Sequence, residues 1–231
     1  MFIIGDLHQK HQEYLHLISK MDYSVQIGDF GFNYDVLKEV DSTKHKFFFA
    51  NHDNYNLFIE TQCGPNLSNA VGHNLGNYGQ VSHGGVEFFF IRGGHSIDKK
   101  YRKEWIDWFP CEELDTTHQR DCLEEYSRVL PEIVLTHEPP LVAKNALFTN
   151  TSLIESFGYL PTWASNTQKF LNELWKIHQP KLWIFGHMHQ NREVKIEQTF
   201  FLCLAELAYA EIKKDSVITP FSRGSYEVFF R

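Results

Sequence analysis

The run "MFIIGDLH", residues 1–8, sets the reading of this chain. A short apolar run that stops at Gly-Asp reads as a buried strand. The pattern returns in "SVQIGD" at 24–29 and, with a changed ending, in "KFFFANHD" at 46–53. Between them Tyr14, Leu17, Ile18 and Met21 fall at helical spacing, and Val36, Leu37 and Val40 give a shorter helix. Strand alternating with helix predicts a mostly parallel sheet with helices on its faces. Further strands are predicted over 86–94, 132–140 and 181–189, with helices over 112–129 and around Phe170, Leu171, Leu174 and Ile177. The tail, 192–231, reads as antiparallel strands, and the Gly-, Asn- and Ser-rich stretch 61–85 as loop or hairpin. Residues 141–166 read as a long irregular loop, a length that usually marks a lid or binding loop.

Composition narrows the class. With 231 residues, 42% hydrophobic and 22% charged, the chain fits one soluble domain, 1–231. A net charge of −7 argues against a bulk electrostatic grip on long nucleic acid, though not against nucleotides. The four cysteines form no CxxC pair, so they are expected as free thiols in a reducing compartment. The N-terminus does not read as a signal peptide, no stretch reads as a membrane span, and a cytoplasmic location follows as the expectation. Thirteen histidines invite a search for metal ligands.

Five predicted strands end in such ligands: Asp6-Leu7-His8, Gly28-Asp29, Asn51-His52, Thr136-His137 and Gly186-His187-Met188-His189. Ligands of open α/β sheets bind at the carboxyl ends of strands, so these residues are expected to converge. If the backbone stays extended, Asp6 and His8 point one way, and so do His187 and His189. Carboxylate, imidazole and amide donors without thiolate suit Mn²⁺, Fe, Zn²⁺ or Mg²⁺.

In order and type, "GDLH" (5–8), "GDFG" (28–31), "ANHD" (50–53), "TH" (136–137) and "GHMH" (186–189) resemble the motifs of the calcineurin-like metallophosphoesterases. The resemblance covers about residues 1–200. The segments "GGHSIDKKYRKEW" and "DWFPCEEL" are also similar to phosphatase-like proteins of bacteriophages and prophages, which implies a host cytoplasm. The family's fold is an α/β four-layer αββα sandwich, two mixed sheets flanked by helices. The resemblance implies two divalent metal ions, Mn²⁺ first and Fe, Zn, Ni or Mg as alternatives. Asp6, His8 and His189 would hold one ion, Asn51, His137 and His187 the other, and Asp29 would bridge them. His52 would serve the leaving-group oxygen. Ala50 stands where the family has Gly, which adds one methyl beside the site. The Asp-Arg-Gly of serine/threonine protein phosphatases is missing, and "GDFGF" stands instead.

Two such ions clamp the attacking and leaving oxygens of an in-line displacement. Asp53 is the expected partner of His52, one that raises its pKa. Arg92, His95 and Arg102 are the candidate substrate-binding residues. Tyr101, Trp105 and Trp108 are expected to pack in the core or under a lid. The implied function is hydrolysis of a small phosphomonoester or a nucleotide-type phosphodiester. A protein phosphatase, a nuclease with the same metal chemistry and a catalytically dead scaffold are the alternatives.

Overall fold

The computed structural model describes residues 1–57, 72–213, 216–221 and 224–229. The first part of the 61–85 expectation, together with Cys63, lies outside the described residues. In chain order come β1 (Phe2–Ile4), α1 (His11–Ile18), β2 (Ser24–Gln26), a 3-10 turn (Asp35–Glu39) and β3 (His45–Phe47). The hairpin of β4 (Tyr78–His83) and β5 (Val86–Ile91) follows, then a 3-10 turn (Lys99–Tyr101), α2 (Thr116–Val129) and β6 (Ile133–Thr136). Next are α3 (Leu141–Leu147), α4 (Ser152–Ser156), α5 (Asn166–Ile177) and β7 (Leu182–Phe185). The chain continues through β8 (Arg192–Ile196), β9 (Thr199–Cys203), β10 (Tyr209–Lys213), β11 (Ser216–Phe221) and β12 (Gly224–Phe229).

The strands form two mixed sheets, ordered β12-β11-β10-β1-β2-β3 and β4-β5-β6-β7-β9-β8. In the first, β1, β2 and β3 are parallel, and β10 returns antiparallel on the other side of β1. In the second, β5, β6, β7 and β9 run parallel. Period-two alternation then divides each apolar run between two layers. Phe88 and Phe90 face the other sheet, where they meet Ile3, Val25 and Phe48. Phe89 and Ile91 face outward onto Cys122 and Tyr126 of α2 and Leu171 and Leu174 of α5. Phe47 and Phe49 face outward onto Tyr14 and Ile18 of α1. The triple Phe thus fills two layers at once. Helix, sheet, sheet, helix is the four-layer sandwich expected.

Several expectations are corrected. The strands are shorter than the apolar runs: β3 ends at Phe47, and residues 48–50 lead into the site without a ladder. Helix α2 starts at Thr116, not 112, because the Asp115 side chain accepts from the backbone N–H of His118 and caps it. Ile177 is 47% exposed rather than part of the α5 core face. Residues 141–166 are not irregular; α3 and α4 lie within them, and Ala143 and Leu147 of α3 are buried. The strands of 192–231 divide between the two sheets, and β9 joins β7 in parallel. Tyr101 and Trp105 are exposed, not packed away.

Candidate metal centre

The loops that follow β1, β2, β3, β6 and β7 meet at one end of the sandwich. Those after β1, β2 and β7 leave their strands through left-handed backbone. Asp29, His8, His187 and His189 have φ of 57, 47, 65 and 50°. Left-handed non-glycine residues cost energy and cluster at functional sites. The extended backbone on which the His187-x-His189 pairing rests is therefore absent, and the two rings separate. His189 joins Asp6, His8 and Asp29, four donors within 4.8 Å of one another. His187 joins Asp29 and His137 in a second such group. Asp29 belongs to both.

Hydrogen bonds fix each donor. The backbone N–H of His187 donates to both oxygens of Asp6, at 3.0 and 3.1 Å. That of His52 donates to Asp29 Oδ1 at 2.9 Å. His137 Nδ1 lies 2.9 Å from the carbonyl of Ile27, a pairing that puts the proton on Nδ1. Its Nε2 then points at the site, 3.1 Å from His187 Nδ1 and 3.3 Å from Asp29 Oδ1. His8 Nε2 and His189 Nε2 stand 2.9 Å apart, and His189 Nε2 is 3.3 Å from Asp6 Oδ2. Asn51 donates weakly to Ser96 Oγ, at 3.4 Å.

Divalent cations fit these residues. Asp29 Oδ2 and Asn51 Oδ1 are buried with no hydrogen-bond partner, which leaves two acceptors with nothing to accept. A set of imidazoles, carboxylates and one amide oxygen suits first-row divalent ions. Protons compensate the buried carboxylates where cations would. Burial pushes Asp6 up to about 6. Burial lowers His137, but Asp29 and Asp6 outweigh it and raise the ring to about 10. Burial and His137 hold His187 well below its ordinary value.

Glycines make room. A Cβ on Gly186 would overlap Asp6 Oδ1, and one on Gly94 would come within 3.0 Å of Asn51 Oδ1 and 3.1 Å of the His137 ring. Gly28, at φ +99°, would drive a Cβ into that of Ala50 and to 2.8 Å from His137 Nδ1. The Ala50 methyl is accommodated because residue 28 has none.

The remaining candidates divide. His52 lines the cavity at the site, and Arg102 Nη2 reaches 2.7 Å from its Nε2 and 2.9 Å from its Nδ1. Arg102 is itself held by Asp98 at 2.8 Å. Burial lowers the His52 pKa; Asp29 opposes this and Arg102 adds to it. Asp53 is not the partner expected for His52. Its carboxylate accepts from the backbone N–H of Asp29, Gly31 and Ala50 at 3.0, 3.0 and 2.7 Å, and from the Tyr34 hydroxyl at 2.7 Å. It fastens the β2 loop to the β3 loop. Arg92 is also corrected: it is buried and donates to Asn77 Oδ1 at 2.6 Å and to the Cys111 carbonyl at 2.9 Å, outside the cavity of the site. His95 does line that cavity, set between Glu113 Oε2 at 3.1 Å and the Tyr159 hydroxyl at 3.2 Å.

Sequence reasoning missed Glu138. Its Oε1 accepts from Ser165 Oγ at 2.8 Å and lies 3.9 Å from His187 Nε2, and its Oε2 has no partner. A carboxylate directly after the strand-end His137 was the available signal. Glu138 lines a cavity of about 600 Å³ that opens from Asp29, Asn51 and His52 and runs beneath residues 148–163.

Comparison with known proteins agrees with this geometry. The family model of the calcineurin-like phosphoesterases matches residues 1–191. No curated protein matches the chain in sequence. Among solved structures, GAP50, the anchor in the inner membrane complex of Plasmodium, is similar with TM-score 0.53 and 12% identity, over 100% of this chain and 89% of that one. A Staphylococcus aureus protein named as a candidate 5′-nucleotidase, in complex with alpha-ketoglutarate, gives 0.53 and 10%, over 99% of this chain and 52% of that one. A conserved uncharacterized protein of Streptococcus pneumoniae TIGR4 gives 0.43 and 10%, over 99% and 97%. At such identities the two likenesses at 0.53 speak to fold alone. No helix among the described residues is long and apolar enough to cross a membrane. The family match covers most of the chain, so this protein belongs to the calcineurin-like phosphoesterases, hydrolases of phosphate esters that work with divalent metal ions.

Proposed function

We propose that this protein hydrolyses a small phosphate ester, a phosphomonoester or a nucleotide-type phosphodiester, with Mn²⁺ as its metal. The observation that carries the reading is Asp29, shared by two converging donor groups beside one cavity. Asp6, His8 and His189 would hold one ion, Asn51, His137 and His187 the other, and Asp29 both. When bound, such a pair supplies a water acidic enough to attack at neutral pH, and positive charge for the phosphoryl oxygens. His137 turns Nε2 toward this site by donating its Nδ1–H to the Ile27 carbonyl. His52, at the cavity rim, is assigned to the leaving oxygen, and Arg102, whose fork meets His52 there, to the phosphoryl oxygens. The whole chain acts as one domain, with residues 141–166 as the element that covers the substrate and His95 on the cavity wall. A cytoplasmic location belongs to the same reading, supported by three cysteines without a disulfide among the described residues.

The test is to strip the protein with a chelator, restore Mn²⁺, and assay p-nitrophenyl phosphate beside bis-p-nitrophenyl phosphate. Turnover of one or both that returns only with metal is the expected result. His52→Ala should retain bound metal and lose most turnover. Silence on both esters with metal bound would overturn the reading.

A further inference from the structure

The cavity is larger than a phosphoryl group needs, and its far wall has a distinct chemistry. It runs without a break from Asn51, His52 and His187 to Phe148, Leu153, Ile154, Phe157 and Trp163. Leu153 is 62% exposed although it stands on a five-residue helix beside the cavity. An apolar residue left in solvent there has no core to serve.

The cations around this wall are already engaged. Lys144 Nζ donates to the Trp163 carbonyl at 2.8 Å, and Lys144 is itself buried. Arg192 donates to the Leu147 carbonyl at 2.7 Å and to Gln190 Oε1 at 2.9 Å. Neither is set to meet a second phosphate. Glu138 is 1% exposed, and its unpartnered Oε2 adds to this lining one polar atom able to accept a hydrogen bond.

We propose that this cavity binds the alcohol half of the ester, and that this half is an uncharged, ring-bearing apolar group rather than a phosphate chain. The inference rests on the phosphoester reading above. Rings of Trp163, Phe148 and Phe157 offer flat apolar surface to such a body. Glu138 gives a hydrogen-bond donor on the ring a partner that is otherwise missing. A pyrophosphate or longer phosphate chain would meet apolar rings, the Glu138 carboxyl and neutral groups such as Asn150 and Ser152, with Lys144 and Arg192 already engaged.

Calorimetry with non-hydrolysable phosphonates tests this on the Mn²⁺-loaded protein. Naphthylmethylphosphonate should bind at least about tenfold more tightly than methylphosphonate, because the added rings leave water. Methylenediphosphonate should gain no comparable advantage through this wall. In Phe157→Ala and in Leu153→Asp, the latter at an exposed position, the naphthyl advantage should shrink to less than about threefold. Equal binding of naphthylmethylphosphonate and methylphosphonate by a protein that hydrolyses p-nitrophenyl phosphate would overturn the pocket assignment and leave the hydrolase reading intact. An unchanged naphthyl advantage in both variants would do the same. Failure to bind any phosphonate, with no ester turned over, would overturn both.

Discussion

Asp53→Asn changes one atom of a buried side chain and separates the role assigned here from a catalytic one. The carboxylate receives three backbone N–H groups and the Tyr34 hydroxyl, two donors on each oxygen. An amide can present only one oxygen to that arrangement. Its least costly orientation keeps oxygen toward Asp29 and Ala50 and puts the NH₂ toward Gly31 and Tyr34. The Tyr34 hydroxyl can turn and accept, but the Gly31 N–H cannot and is left buried without a partner. One orphaned buried donor costs about 2–3 kcal/mol. For a chain of this size that lowers Tm by roughly 4–12 °C. Tyr34→Phe removes one donor to Asp53 and frees only the half-buried Asn54 N–H, 3.4 Å from that hydroxyl, so it should cost only about 1–2 kcal/mol. The assay is urea and thermal unfolding of chelator-treated protein at about pH 4, well below the value of about 7 to which burial and Asp29 push the Asp53 carboxyl, so that parent and variant are both neutral there and differ in the lost acceptor. Treatment with chelator removes metal loading from the comparison. An Asp53→Asn protein within about 0.5 kcal/mol of the parent, or one more stable than Tyr34→Phe, would refute the clamp.

Asp29→Asn should reduce bound manganese from two ions per chain to one or none by elemental analysis, with turnover lower by more than about a hundredfold; two retained ions would remove Asp29 from its bridging role. Gly186→Ala would place a methyl against Asp6 Oδ1, so its metal affinity in a chelator titration should fall by about tenfold or more, and an unchanged affinity would show that Asp6 moves freely. Glu112 offers a pH test away from the metal centre. Burial raises it from 4.5 to about 7, against the pull of Ser96, whose N–H and hydroxyl both donate to it at 2.7 Å. A folded pKa above the unfolded one means that stability is fully present below about 4.5 and is lost as pH rises through about 7. Glu112→Gln should therefore flatten the fall in unfolding free energy between pH 4.5 and 8 by about 3 kcal/mol, and parallel pH profiles for the two proteins would rule the assignment out.

What the sequence discloses here is what side-chain type determines. The donors Asp6, Asp29, Asn51, His137, His187 and His189 are legible because each ends a buried apolar run, and topology gathers strand ends. The four layers follow from the resemblance of the motifs and not from periodicity: Phe47, Phe48 and Phe49 read as one buried run, and only the structure divides them between layers. Asp53 was misread because three of its four partners are backbone N–H groups, which leave no mark in the sequence. Arg92 looked like a phosphate ligand because charge is visible and burial is not. The separation of His187 from His189 depends on two left-handed residues, and neither is a glycine that would announce it. Helices α3 and α4 escaped notice because seven and five residues span too few turns for a period to register.

Strand β1 lies between β2 and β10, and the first of the proposed ligands depends on residues 187 and 207. Asp6 is oriented by the N–H of His187, 181 residues downstream, and its own carbonyl accepts from Leu207. As the chain leaves the ribosome, Asp6, His8 and Asp29 emerge long before the residues that orient them. Until β10 docks, β1 is an open edge and the metal loops form half a site. Biosynthesis thus withholds the proposed metal centre until residues 187–213 are out, and a chain stalled or clipped before them should carry the early donors without a centre to hold metal.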